Sequence, residues 1–161
     1  MAVDMFLKIG DIKGESGDSK HGGEIDVLAW SWGLSNSGNT HVGGGGGAGK
    51  VNVNDFSFTK WMDKSTPNLV QYCASGKHFP SAELVVRKSG DTPLEYWKMT
   101  FEEVLITSVA TGGSGGEDRL TENVTLNFAK FKVKYQPQAS GGGPEGGEIE
   151  AGWNIMENVK Y

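Results

Sequence analysis

The chain has one cysteine, Cys73, so no intramolecular disulfide can staple its fold. It has no apolar run near the roughly 18 residues that a membrane-spanning helix needs. The start, MAVDMFLKIGDIKGE, lacks a basic stretch followed by an apolar core, so no cleaved signal peptide is read there. Positive charge is in deficit: 15 Lys and Arg stand against 20 Asp and Glu, for a net charge of -5. A phosphate backbone is bound by a basic surface, so nucleic acid is not expected as the main partner. Synthesis in the cytoplasm is expected, without direct membrane insertion and without export through a cleaved leader.

Glycine is in excess, at 25 of 161 residues, about twice its usual share. It follows no G-X-Y period, which excludes collagen. Seven Phe, five Trp and four Tyr exclude a disordered chain, which has no large apolar groups to bury. A chain of this length hides roughly 70% of its unfolded surface, enough for one core. Residues 1–161 therefore read as a single domain.

Alternation of apolar and polar residues predicts mostly strands. Val3 to Ile9 is the first, followed by a polar loop from Gly10 to Gly23. In EIDVLAWSWGL (24–34), one face carries Asp26, Leu28, Trp30, Trp32 and Leu34. The other carries Ile25, Val27, Ala29, Ser31 and Gly33. The tryptophan face is the expected core side, with Leu28, Trp30 and Trp32 inward, and the opposite face is small and uncharged. Residues 36–49 form a Gly-rich loop. Lys50 to Lys60 alternates with Phe56 and Phe58 inward. One short helix is expected, with Thr66 as N-cap, Pro67 in the first turn and Gly76 after the end. Its apolar stripe pairs Leu69 with Cys73 and Val70 with Ala74.

Further along, Trp97, Met99 and Phe101 share a face, and the apolar set then moves to Val104 and Ile106. That change of phase predicts a bend at Glu102-Glu103. A second Gly-rich loop spans 111–116. Thr121 to Tyr135 reads as one long strand with Leu126 and Phe128 inward and a change of face near Ala129 and Lys130. Residues 136–150 are Pro- and Gly-rich and expected to be exposed, and GWNIMENVKY adds one short strand. The fold class is mainly β: a small β-barrel of two packed antiparallel sheets with one short flanking helix.

No constellation of catalytic residues emerges. Gly44 to Lys50 matches G-x-x-x-x-G-K, but Val51 stands where a P-loop needs Ser or Thr for Mg²⁺, and a strand follows where a helix is required. His21, His41 and His78 lack metal-ligand spacing. Cys73 sits on the apolar stripe of the helix, where a buried thiol is inert. Adjacent glutamates 102 and 103 point to opposite faces of a strand and make a poor acid/base pair. No enzyme activity, cofactor or metal is expected. The residues point to assembly or binding.

Long stretches of the chain carry a specific resemblance. They are MAVDMFLKIGDIKGES, EIDVLAWSWG, HVGGGGGAGKVNV, FTKWMDKSTPNL, SGKHFP, TGGSGGEDRLTENVTLNFA and KYQPQ. Together they resemble the Hcp (haemolysin-coregulated protein) family, the tube subunits of bacterial type VI secretion, over essentially the whole chain. The resemblance implies a β-barrel subunit that closes into a homohexameric ring. Rings stack into an inner tube, similar to a phage tail tube, that is exported by the type VI machinery. It implies a VgrG-like spike, sheath and baseplate components as partners, and small effector proteins as cargo in the lumen. On that resemblance Ala29, Ser31 and Gly33 are the lumen-facing candidates. The segment Gly43, Gly44, Gly45, Gly46, Gly47, Ala48, Gly49 and Lys50 is the candidate contact to a neighbouring subunit or the next ring. A monomeric ligand-binding β-barrel is the alternative.

Overall fold

A computed structural model describes residues 3–38, 40 and 48–161. Strands β1 (Val3–Ile9), β2 (Ile25–Ser31), β5 (Phe56–Trp61), β6 (His78–Lys88), β7 (Leu94–Thr111) and β8 (Thr121–Asn127) form a closed antiparallel barrel in the order β1-β2-β5-β8-β7-β6. Closure comes from β7, which is 18 residues long and serves two neighbours. Its first half pairs with β9 (Lys130–Tyr135), from Trp97↔Tyr135 to Glu102↔Lys130. Its second half pairs with β8, from Leu105↔Asn127 to Thr111↔Glu122. β10 (Ile149–Asn154) and β11 (Val159–Lys160) extend the sheet beyond β9. β3 (Leu34–Gly38) and β4 (Ala48–Val53) form a separate hairpin.

The expected bend in β7 is present. Met99 and Phe101 point inward before it, Val104 and Ile106 after it, and Glu103 between them takes a left-handed φ of 55°. The inside of the barrel is filled. Phe56, Phe58, Phe101, Leu84, Met99, Val124 and Leu126 are all at most 1% exposed. Phe101 packs 5.0 Å from Phe56 and 4.5 Å from Phe128, in the tilted geometry that aromatic rings favour. Trp30, Trp32 and Trp97 are half-buried and close the edges of this cluster.

Leu28 departs from expectation. It is 38% exposed and not part of the core. Val27 pairs with Lys60 and Ala29 with Thr59, so Leu28 is an extra residue in a β-bulge. The bulge shifts the phase of β2. Ile25 and Val27 point inward before it, and Trp30 and Trp32 after it. Other departures are smaller. The expected single strand over 121–135 is divided at Phe128 and Ala129 into β8 and β9, and the C-terminal segment contributes two strands.

Helix α1 (Thr66–Ser75) is capped at its end by Gly76 in the left-handed conformation, φ 70°, whose N–H donates to the Tyr72 carbonyl. Ser65, not Thr66, is the N-cap residue. Leu69, Tyr72 and Cys73 pack on the barrel, while Val70 is 47% exposed, so only one of the two expected pairs faces inward. The loop from Gly10 to Gly23 is more than a polar connection, because Ile12, Ser16 and His21 are buried.

Candidate functional surface: an uncharged wall

The outward positions of β2, β5, β8 and β7 line up through the pairing register. Ser31 lies opposite Ser57, Ser57 opposite Thr125, and Thr125 opposite Ser108. The next row runs Ala29, Thr59, Asn123, Ala110. Four strands at the usual spacing make this wall about 14 Å wide. Neither row contains a charge. At the charged share of an ordinary soluble surface, about two of these eight side chains would be ionised.

The polar groups of the wall largely satisfy one another. Thr59 donates to Asn123 Oδ1 at 2.6 Å. The Thr125 hydroxyl lies 2.7 Å from those of both Thr107 and Ser108. At one end the Asp55 carboxylate accepts from Thr107 and from Asn127 Nδ2, at 2.8 and 2.9 Å. At the other end the Arg119 guanidinium lies over the Trp61 ring, 4.5 Å from its centre. Charge therefore frames the wall and is kept off it. Ala29, Ser31, Ser57 and Thr59 surround a shallow depression of about 140 Å³.

Behind the wall lies a buried ion pair that sequence reading missed. Lys60 and Glu122 side chains are both fully buried, with Nζ 2.7 Å from Oε2. Lys60 also donates to the Trp61 carbonyl at 2.8 Å and pairs with Asp63 at 3.0 Å. The Thr66 hydroxyl donates to Glu122 at 2.9 Å. This cluster ties the start of α1 to β5 and β8. Its signal was in the sequence: both charges stand in phase with the inward residues, after Phe56 and Phe58 in one strand and before Val124 and Leu126 in the other.

The remaining candidates fall in three places. Ala29 and Ser31 are exposed on the wall. Gly33 lies beyond the end of β2, in the turn to β3, where its carbonyl accepts from the Asn54 N–H at 3.0 Å. Gly43 to Gly47 lie outside the described residues, as does the Ala48 side chain, while Gly49 and Lys50 stand on β4. Every residue of β3 is exposed, and a two-stranded hairpin has little stability of its own in water. At the hairpin root, Trp32, Leu34, Val51, Phe131, Val133 and Trp153 line an apolar groove of about 410 Å³.

A family described as "Type VI secretion system effector, Hcp" matches residues 6–135. The chain belongs to the Hcp family. It is 65% identical to Hcp1 of Pseudomonas aeruginosa (strain PAO1), over 99% of each chain. Its fold superimposes on the crystal structure of Hcp1 from Salmonella typhimurium with a TM-score of 0.82, at 42% identity and full coverage of both chains. A solved type six secretion system protein gives a TM-score of 0.93 at 31% identity, covering 99% of this chain and 100% of its own. The barrel, its flanking helix and the outer strands are thus those of an Hcp protein of type VI secretion. β10 and β11 lie past the region of the family match but within the length shared with these relatives.

Proposed function

We propose that this Hcp protein is a non-catalytic, ring-forming subunit of the type VI inner tube, with the whole chain 1–161 acting as one domain. Six copies close head to tail, rings stack, and the assembled tube is exported with small effector proteins in its lumen. The spike, sheath and baseplate are its working partners. The observation that carries this reading is the uncharged wall. A soluble β-face exposed to bulk water is normally kept apart from other chains by charge. A face turned into a shared channel needs no such protection, and without charge it admits cargo of either sign.

In this assembly Ala29 and Ser31 touch cargo, with Ser57, Thr59, Asn123 and Thr125 beside them. The β3–β4 hairpin and the glycine segment 43–50 reach a neighbouring subunit or the next ring, which supplies the support a lone hairpin lacks. A heterologous interface of this kind closes into a ring when the rotation between copies fits. Six copies carry about -30, so free rings repel at low salt and stacking is templated by the spike or baseplate. The monomeric ligand-binding barrel is disfavoured, because aromatic side chains fill the interior where such a ligand would sit.

Light scattering with negative-stain imaging of the same fraction tests the assembly. A particle of about 103 kDa with a central hole is expected for six 17.2 kDa chains. A stable monomer across concentrations would sink the ring.

A further inference from the structure

The loop joining β1 to β2 lies flat on the barrel and is closed by its own backbone bonds. Gly14 N–H donates to the Gly23 carbonyl at 2.8 Å, Ser16 N–H to Glu24 at 2.9 Å, and Gly23 N–H to Ser16 at 2.9 Å. Its far end is held by His21. The imidazole stacks on Phe6 of β1, with ring centres 4.5 Å apart and planes at 12°. Nδ1 lies 3.0 Å from the Glu24 carboxylate, and Nε2 lies 2.7 Å from the carboxylate of Glu95 on β7. A neutral imidazole has one N–H and one lone pair, and a lone pair aimed at a carboxylate is repelled. Two carboxylate partners are satisfied only by the form with a proton on each nitrogen.

We propose that the loop over residues 10–24 is a proton-operated clasp, fastened to the β1–β6–β7 face while His21 is doubly protonated and loosened when it loses one proton. This inference is independent of ring assembly.

The charged groups around His21 support the proposal from each element packed against it. Glu24 comes from the loop, and Glu95 from β7, with Lys98 of β7 3.8 Å from Glu95. Asp18, on the loop, accepts from the backbone N–H groups of Lys20 and His21. It also grips Arg87 of β6 at 2.6 and 3.0 Å, and Arg87 reaches Asp4 of β1 at 3.1 Å. Arg87 holds the Asp18 carboxyl far below the usual carboxylate range, so this second fastening stays ionised near neutrality. Burial alone pulls the His21 pKa down, but hydrogen bonds and charge from Glu95 and Glu24 outweigh it and leave the pKa above its ordinary value. The sign follows. A group whose pKa is raised by folding stabilises the fold below its unfolded pKa of about 6.5, and that contribution fades as pH climbs through the higher folded value.

The test uses the full chain with its histidine rings isotope-labelled, and hydrogen exchange by mass spectrometry over 10–24 from pH 6 to 9, corrected for intrinsic rates. His21 should titrate above 6.5 with both nitrogens protonated below the midpoint. Loop protection should fall through that midpoint, because the doubly protonated ring is what fastens the loop. His21→Gln should hold protection low and flat at every pH. Glu95→Gln, which keeps the size and removes one charge, should lower the His21 midpoint without unfolding the barrel. A midpoint at or below 6.5, protection that is level across the titration, or a midpoint unmoved by Glu95→Gln would each overturn the clasp.

Discussion

Replacing Lys60 with Met removes the cation from a carboxylate that has no route to solvent. Glu122 keeps the Thr66 hydroxyl as a donor but loses its 2.7 Å ion pair inside the barrel. Breaking a fully buried pair from one side costs about 3–5 kcal/mol, because the remaining charge stays desolvated. For a domain of this size each kcal/mol moves Tm by about 2–4 °C, so Lys60→Met should lower it by about 6–20 °C. The double variant Lys60→Met/Glu122→Leu removes both charges and fills the space with apolar atoms. It should recover part of the loss, since a buried pair is often no better than well-packed hydrophobic residues, while Asp63, 3.0 Å from Lys60 in the wild type, keeps its Ser65 donors but loses its cation. The assay is thermal unfolding followed by circular dichroism at one fixed protein concentration, because assembly shifts apparent stability. A single variant that melts within about 2 °C of the wild type would refute the reasoning, because it would mean that Glu122 finds water or another donor. A double variant as unstable as the single one would show that the pair is needed for more than its own neutralisation.

Three further outcomes follow from the geometry. Ser31→Gln should leave the ring mass unchanged and impair retention of lumenal cargo in co-purification, and unchanged retention or a broken ring would remove Ser31 from the cargo-touching set. Gly14→Ala should destabilise the chain by about 1–3 kcal/mol in urea unfolding, the range for forced overpacking, because a Cβ there would sit 2.5 Å from the Glu24 carbonyl oxygen and 2.7 Å from the Ile25 Cα. Ala151→Trp fills the groove at the hairpin root from an exposed strand position, so it should leave far-UV dichroism intact and shift the light-scattering mass toward the monomer if that groove receives a neighbouring subunit.

What the sequence disclosed was governed by phase. Phe56 and Phe58, or Met99 and Phe101 followed by Val104 and Ile106, show inward faces and even the bend at Glu103, because each apolar set has a polar counterpart. β2 gives no such contrast. Ile25 and Val27 on one face compete with Leu28, Trp30 and Trp32 on the other, and the conflict is settled by the bulge at Leu28, which is set by pairing with β5. The wall was half legible for the same reason. Ala29 and Ser31 stood out as small and uncharged, but the alignment of Ser31, Ser57, Thr125 and Ser108 depends on the registers of three strand pairs, and those pairings join residues far apart in the chain. The His21 clasp was equally hidden, since Glu95 lies 74 residues away. The Lys60–Glu122 pair was available and missed: a charge in phase with phenylalanines is a signal that its partner lies inside.

β7 belongs at once to the barrel and to the outer sheet. β9, and through it β10 and β11, is held to β7 by the hydrogen-bond ladder from Trp97↔Tyr135 to Glu102↔Lys130. The two halves of β7, one paired with β9 and the other with β8, are joined by unbroken covalent backbone, with β6 alongside from Leu94 to Leu105. A load applied to β9 crosses that ladder into β7, and the β7 backbone then carries it to the β8 side of the barrel. In the proposed tube, a push on either half of the subunit is therefore shared with the other through β7.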